Sequence, residues 1–261
     1  MAKNSHIQIT QRLLENFSHK VDEPYNGHPT LVDFVYYLDL SDYRIGEKRK
    51  REFGADYGFY SDEVENLLSD NAEGPFGEAI SKLCKKTTNL SNYSFSQQEL
   101  KSVANFAYYS ISRSNIVFDT IKSTTTIKKE QISNNEIIEA VDVDDNFITD
   151  ECVVIFENKT QIEFIIPFNC LTYIKWHEEL LFVLFVSPTI ALGLRRKTKM
   201  KKQVKTEYTA ITNTNLIDEF NKASVRIERS NRYLLVAKSK QTLCRLLQLL
   251  NKPVLEKESE A

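Results

Sequence analysis

Residues Phe147 to Leu194 read FITDECVVIFENKTQIEFIIPFNCLTYIKWHEELLFVLFVSPTIALGL, the longest stretch dominated by Val, Ile and Phe. Branched and aromatic side chains pack well on a pleated surface, so this stretch predicts a sheet. Glu157 to Thr160 suits a turn between CVVIF and QIEFIIPF.

On the N-terminal side, Ile9, Leu13, Leu14 and Phe17 recur at helical spacing, which predicts a short helix over 8–17. Pro24, Asn26, Gly27 and Pro29 mark a loop over 21–29, and LVDFVYYLDL (31–40) reads as a strand. Beyond the charged turn at 48–51, Ser61, Asp62 and Glu63 suit a helix N-terminus, with Val64, Leu67 and Leu68 on one face. Gly74 and Pro75 break that helix before Phe76, Ile80 and Leu83 resume it. Ser96 with Glu99 forms a capping-box pattern opening a long helix that runs to 123. An exposed connection (123–130) and a short helix (132–141) precede the sheet.

On the C-terminal side, the basic run Arg195 to Lys205 is a loop or strand end. Asn215 to Ala223 reads as a helix, RYLLVAK as a strand and QTLCRLLQLL as a second helix. The fold class is α+β: helices from the N-terminal half and the C-terminus pack on a mostly antiparallel central sheet. One domain spans 1–255, with a helical part (1–145), a β-rich part (146–212) and a helix-strand-helix (213–251). The acidic end, 252–261, reads as a disordered tail.

Of 261 residues, 41% are apolar and 27% charged, ordinary globular values that exclude wholesale disorder. The apolar run Leu180 to Val186 is far short of the ~18 to 20 residues a membrane span needs. The opening segment carries Lys3, Arg12 and Glu15 and does not read as a signal peptide. The cysteines, Cys84, Cys152, Cys170 and Cys244, form no CxxC pair, so they read as buried thiols of a cytoplasmic protein with no metal and no cofactor. With a formal charge of −2, attraction to nucleic acid must come from local clustering.

Six landmarks recur in order: His6 with Leu14 and Phe17; Tyr60 with EVENLLSDNAE (Glu65 and Glu73); Arg113 in SISRSN; Phe147, Thr149 and Asp150 in FITDECVV; Ser187-Pro188; and Asn221 followed by Arg232-Tyr233. In these the chain resembles the bacterial family catalogued as domain of unknown function 4238. Glu151 and Cys152 depart from it, standing where the family usually has Asn and Pro. The resemblance implies a role in bacterial defence against phages and singles out His6, Arg113 and Asp150.

An imidazole at His6 can act as general acid or base toward a ribose or phosphate, or can be an exposed terminal side chain without a task. The planar guanidinium of Arg113 can clamp a phosphate at two points or join a structural ion pair. Asp150, with Asp142, Asp144 and Asp145 nearby, can bind a metal or orient a base, and an aspartate there is also an ordinary capping residue. A nuclease-like Asp, Glu-x-Lys set can be drawn through Asp150, Glu157 and Lys159, but its last two members fall in the expected turn, where a metal-binding version needs a buried strand.

The strongest electrostatic feature is RRKTKMKKQVK, with Arg195, Arg196, Lys197, Lys199, Lys201, Lys202 and Lys205 and no acid. Such a run can neutralise several phosphates of RNA or DNA, or can be a solvated hairpin tip. Two functional readings follow. One is an antiphage effector of nuclease type that holds nucleic acid with the basic run. The other is a non-enzymatic module recognising a phage-encoded protein through the aromatic middle, around Phe164, Phe168, Tyr173 and Trp176.

Overall fold

The computed structural model describes residues 11–25, 28–53, 62–85, 89–112, 151–168, 170–196, 206–227 and 234–256. It is a mixed α+β fold whose strands divide into two largely antiparallel sheets. The first sheet contains β1 (His19–Tyr25), β2 (His28–Asp39), β3 (Arg44–Arg49), β5 (Ile166–Pro167), β10 (Leu234–Ala237) and β11 (Leu255–Glu256). Its order is β11-β3-β2-β10-β5, with β1 also paired to β2. The second contains β4 (Glu151–Asn158), β6 (Leu171–Trp176), β7 (Glu179–Ser187), β8 (Ile190–Arg196) and β9 (Thr206–Ile211), in the order β6-β7-β8-β4-β9. The β4–β9 and β11–β3 pairs are parallel.

The expected loop over 21–29 is mostly strand. His19 to Tyr25 pair in antiparallel register with Phe34 to His28, leaving only Asn26-Gly27 between the paired ends. Asn-Gly is the dipeptide that two-residue hairpin connections favour, and prolines are tolerated on an edge strand. The N-terminal part is therefore not purely helical. It supplies three strands of the first sheet, which is buried on both faces: Val35 joins the main core, whereas Leu38 packs into a second cluster with Leu243, Leu246 and Leu247.

Helix α1 (Gln11–Phe17) buries Leu13, Leu14 and Phe17, the face read from the sequence. The break expected at Gly74-Pro75 takes a definite form. A π turn over Ser69–Glu73 joins α2 (Asp62–Leu68) to α3 (Gly74–Lys85), and the Gly74 N–H donates to Ser69 O. In an α-helix Pro75 would collide with the Asn71 carbonyl and offer it no N–H, so widening the turn removes the conflict. Asn105 Nδ2 donates to that carbonyl at 3.4 Å. Asn105 belongs to α4 (Gln97–Ser112), whose capping box forms as expected: Ser96 N donates to Glu99 Oε2 at 2.9 Å and Glu99 N to Ser96 Oγ at 3.2 Å. Burial alone would raise the Glu99 pKa, but these bonds and Lys82 at 2.9 Å hold it below its usual value. The rest of the expected long helix, and the helix over 132–141, lie outside the described residues.

The expected hairpin between CVVIF and QIEFIIPF does not form. The neighbours of β4 are β8 and β9, and the segment after it crosses to the first sheet, where Ile166 and Pro167 pair with β10. The physical reason is burial on all sides. Phe164, Ile165, Ile166 and Phe168 are each at most 1% exposed, with Ile165 in one core cluster and the other three in the main one.

Two helices complete the C-terminal part. Helix α5 (Thr214–Ile227) lies on the second sheet, and α6 (Lys240–Leu249) packs against β2, β3 and β10. Asp218 and Arg245 join them through paired bonds of 2.8 and 2.7 Å. Part of the expected tail is placed: Leu255-Glu256 pairs with Arg44-Ile45, and Lys252 lies 4.3 Å over the Tyr43 ring. Of the thiols, Cys170 is buried, while Cys84 and Cys244 are half-buried.

Candidate nucleic-acid interface

The basic run leaves and rejoins the second sheet around one strand. Arg196 pairs with Glu151 and Arg195 with Cys152 at the N-terminal end of β4. On the other side of β4, Thr206, the residue after the run, pairs with Val153. The segment 197–205 is thus tied at both ends to the strands that flank the start of β4. Thr206 is itself fixed, its Oγ1 accepting from the Phe95 N–H at 3.1 Å. Among the proposed site residues, Arg196 is the backbone partner of Glu151, the residue that follows Asp150, and Arg195 that of Cys152. His6, Arg113, Asp150, Lys197, Lys199, Lys201 and Lys202 lie outside the described residues.

The same end of the sheet carries the exposed aromatics. Tyr173 of β6 pairs with Phe182 of β7, and Phe182 pairs with Leu194 of β8, two residues before Arg196. Tyr173 and Phe182 are each 40% exposed and Leu180, two residues from Phe182 on the same face, is 61% exposed. The β6–β7 turn is built from His177 and Glu178, both at positive φ (45° and 70°). A two-residue hairpin loop needs that backbone, although neither side chain favours it. This corrects the aromatic surface read from the sequence. Phe164 and Phe168 are core residues, Trp176 is half-buried against Phe156 and Phe220, and only Tyr173 of the four is exposed. Phe182 and Leu180 sit inside a continuous apolar run, where alternation is masked by the bulky residues between them.

Two other polar groupings have geometry that uses up their chemistry, and a cleft carries charges of both signs. Glu157 lies within β4, not in a turn, and its carboxylate accepts from Tyr208 Oη at 2.6 Å and from Lys159 Nζ at 2.5 Å. The Glu157 hydrogen bond, followed by burial, pushes Tyr208 up to about 12. Among the described residues no group of three His, Cys, Asp or Glu side chains could hold a metal ion. On the first sheet His19 stacks on Tyr36 at 4.2 Å and meets Glu47 at 2.6 Å through Nε2, while Nδ1 is sealed from solvent, so neither nitrogen faces a substrate. A cleft of about 800 Å³ between α1 and α3 is lined by Arg12, Glu15, Glu78, Lys82 and Lys85, charges of both signs. Its Cys84 thiol is pushed up to about 11 by burial, which keeps it protonated and unreactive at neutral pH.

Among the landmark residues that are described, Leu14 and Phe17 are buried in the core, and Asn221 and Ser187-Pro188 are structural as well. Asn221, 2% exposed, donates from Nδ2 to Glu163 O and accepts at Oδ1 from Ile165 N, each at 2.9 Å, holding the crossing segment down. Pro188 O accepts from the Phe164 N–H at 2.9 Å, beside the Ser187–Thr189 turn.

Comparison with family models, curated proteins and solved structures finds no match. Among the described residues no helix is long and apolar enough to cross a membrane.

Proposed function

We propose that this chain is a cytoplasmic effector of bacterial antiphage defence that binds nucleic acid at the end of the second sheet where β8 leads into the basic run. One observation carries the binding part: the run's ends are fixed on both sides of β4, so seven cations without an acid are tied to one corner of a rigid sheet. A tethered cationic segment neutralises phosphates at a smaller ordering cost than a free tail. The defence part comes from the resemblance to domain of unknown function 4238, as does the assignment of His6, Arg113 and Asp150 to a nuclease step.

The test is retention on heparin or RNA at two salt concentrations. If about four phosphates are contacted, the logarithm of affinity falls with the logarithm of salt with a slope of about −3 to −4. Changing Lys197, Lys199, Lys201 and Lys202 together to Gln flattens that slope by about 3. No retention of the unaltered protein at low salt defeats the reading. The nuclease assignment is checked separately: His6→Ala and Arg113→Ala abolish toxicity or cleavage while leaving the melting curve in place, and full activity in both folded variants removes these residues from any site.

A further inference from the structure

We infer that the free edge of β6 docks an extended, uncharged peptide segment of a partner protein, which adds as an antiparallel strand and seats one apolar side chain between β6 and α5; the inference stands apart from the nucleic-acid reading. Three observations select that occupant. First, β6 ends the second sheet, and among the described residues no strand lies on its outer side. The two-residue turn at His177-Glu178 makes Trp176–Glu179 and Ile174–Leu181 the hydrogen-bonded pairs, so the peptide groups of Tyr173 and Lys175 point away from β7. Neither group has a hydrogen-bond partner among the described residues. Two donor–acceptor pairs two residues apart match the repeat of an extended chain. Second, an open groove of about 220 Å³ runs along this edge. Residues 173–176 line it from both faces of β6 and no described residue of β7 takes part, so it lies outside the sheet, where α5 supplies Leu216, Phe220 and Ala223. That volume is below the ~300 Å³ of a small-molecule pocket and suits one side chain of a strand running alongside. Third, the charges at the rim are matched with each other, Lys175 with Glu178 at 2.7 Å and Glu219 with Lys222 at 3.1 Å.

A lysine on an edge strand ordinarily guards it against pairing, but the Lys175 ammonium is held at the turn by Glu178. With its rim charges matched, the groove complements an uncharged apolar side chain better than a phosphate or a charged peptide. An antiparallel strand beside β6 puts the residue opposite Ile174 on the α5 side, because Ile174 is two residues from Thr172, whose hydroxyl donates to Ala223 O. A second copy of the chain is a poorer occupant. In a symmetric β6–β6 pairing the side chains on that side would be Thr172, Ile174 and Trp176 of the other copy, each already lying against that copy's own α5 and so not free to enter this groove.

The experiment titrates a capped, uncharged peptide, Thr-Thr-Leu-Thr-Thr, into the full chain at about millimolar concentration and follows amide hydrogen exchange by NMR. With its Leu opposite Ile174, the two flanking Thr residues face Tyr173 and Lys175. Binding slows exchange of the Tyr173 and Lys175 amides about tenfold and leaves the Ile174 amide, already paired with Leu181, unchanged. N-methylation of the two flanking Thr residues removes the donors aimed at β6 and weakens binding at least about tenfold, whereas N-methylation of the Leu, whose N–H points to solvent, does not. Equal binding of the two methylated peptides would overturn the inference, because apolar contact alone would then suffice. Slow exchange at Tyr173 and Lys175 in the protein without peptide does the same, since the edge would already be paired. So do the absence of binding at millimolar peptide and self-association in sedimentation that the peptide abolishes, the latter identifying a second copy as the occupant.

Discussion

Thr172 and Tyr173 are neighbours on β6 and opposites in environment. Thr172 is fully buried on the face covered by α5, and its Oγ1 donates to Ala223 O at 2.8 Å; Tyr173 is 40% exposed on the other face, at the sheet corner. The same division runs through the second sheet. On the α5 side, Phe220 meets Phe156, Phe164, Phe185 and Trp176 with ring centroids 5.3 to 6.4 Å apart, and the buried polar groups of Asn221 and Ser224 find backbone partners. On the corner, aromatic rings meet water beside a strand that leads into the basic run. Residues that satisfy one another hold the fold, and residues left facing solvent are where a ligand gains contacts.

Substitutions on the two sides should therefore separate stability from binding. The largest stability effect is expected for Phe220→Ala, which leaves a cavity among four aromatic rings and costs about 3–5 kcal/mol in denaturant unfolding. Asn221→Ala comes next, at about 2–3 kcal/mol, because it strands a buried N–H at Ile165 and the Glu163 carbonyl. Thr172→Val keeps the shape, loses one buried bond and costs about 1–2 kcal/mol. Where these variants stay folded, their retention on RNA is unchanged. A loss of retention in folded Thr172→Val that equals that of the four-lysine variant breaks the division. Conversely, Tyr173→Leu and Phe182→Leu shift unfolding by less than about 1 kcal/mol, since half-exposed rings leave no sealed cavity.

The division also explains what was legible in the sequence. Periodicity carried the helices well: Leu13, Leu14 and Phe17, the Ser96–Glu99 box, and the C-terminal helix-strand-helix all fall where spacing placed them. The crossing segment defeated local reading because Phe164, Ile165 and Ile166 are buried on every side, and a continuous apolar run has the same appearance as a core strand. The hairpin turn at His177-Glu178 lacks the Asn-Gly signature, whereas Asn26-Gly27, between the paired Tyr25 and His28, reads as loop in sequence because Pro24 and Pro29 flank it. At the candidate site, charge was legible and partnership was not. The run of cations stands out in one dimension, but its anchorage around β4 and the exposure of Phe182 depend on strand register.

The far end of β4 gives the subtlest test. There Glu157 holds the Tyr208 hydroxyl at 2.6 Å, and that bond, then burial, then the carboxylate charge raise Tyr208 to about 12 from an ordinary value of about 10. The folded state thus binds this proton more tightly than the unfolded chain. Its contribution to stability is complete below pH about 10 and is lost as pH rises through about 12. Tyr93, also raised to about 12, chiefly by burial, acts in the same direction, so the informative quantity is the difference between parent and Tyr208→Phe. That variant should lose less stability than the parent between about pH 10 and 12, and Glu157→Gln should bring one tyrosinate absorbance step back toward its usual pH. Equal pH slopes in parent and Tyr208→Phe would mean the hydroxyl does not occupy the carboxylate. Glu157 would then be available beside Lys159 for the metal-dependent chemistry that its present bonding consumes, and the second sheet would have two open ends instead of one.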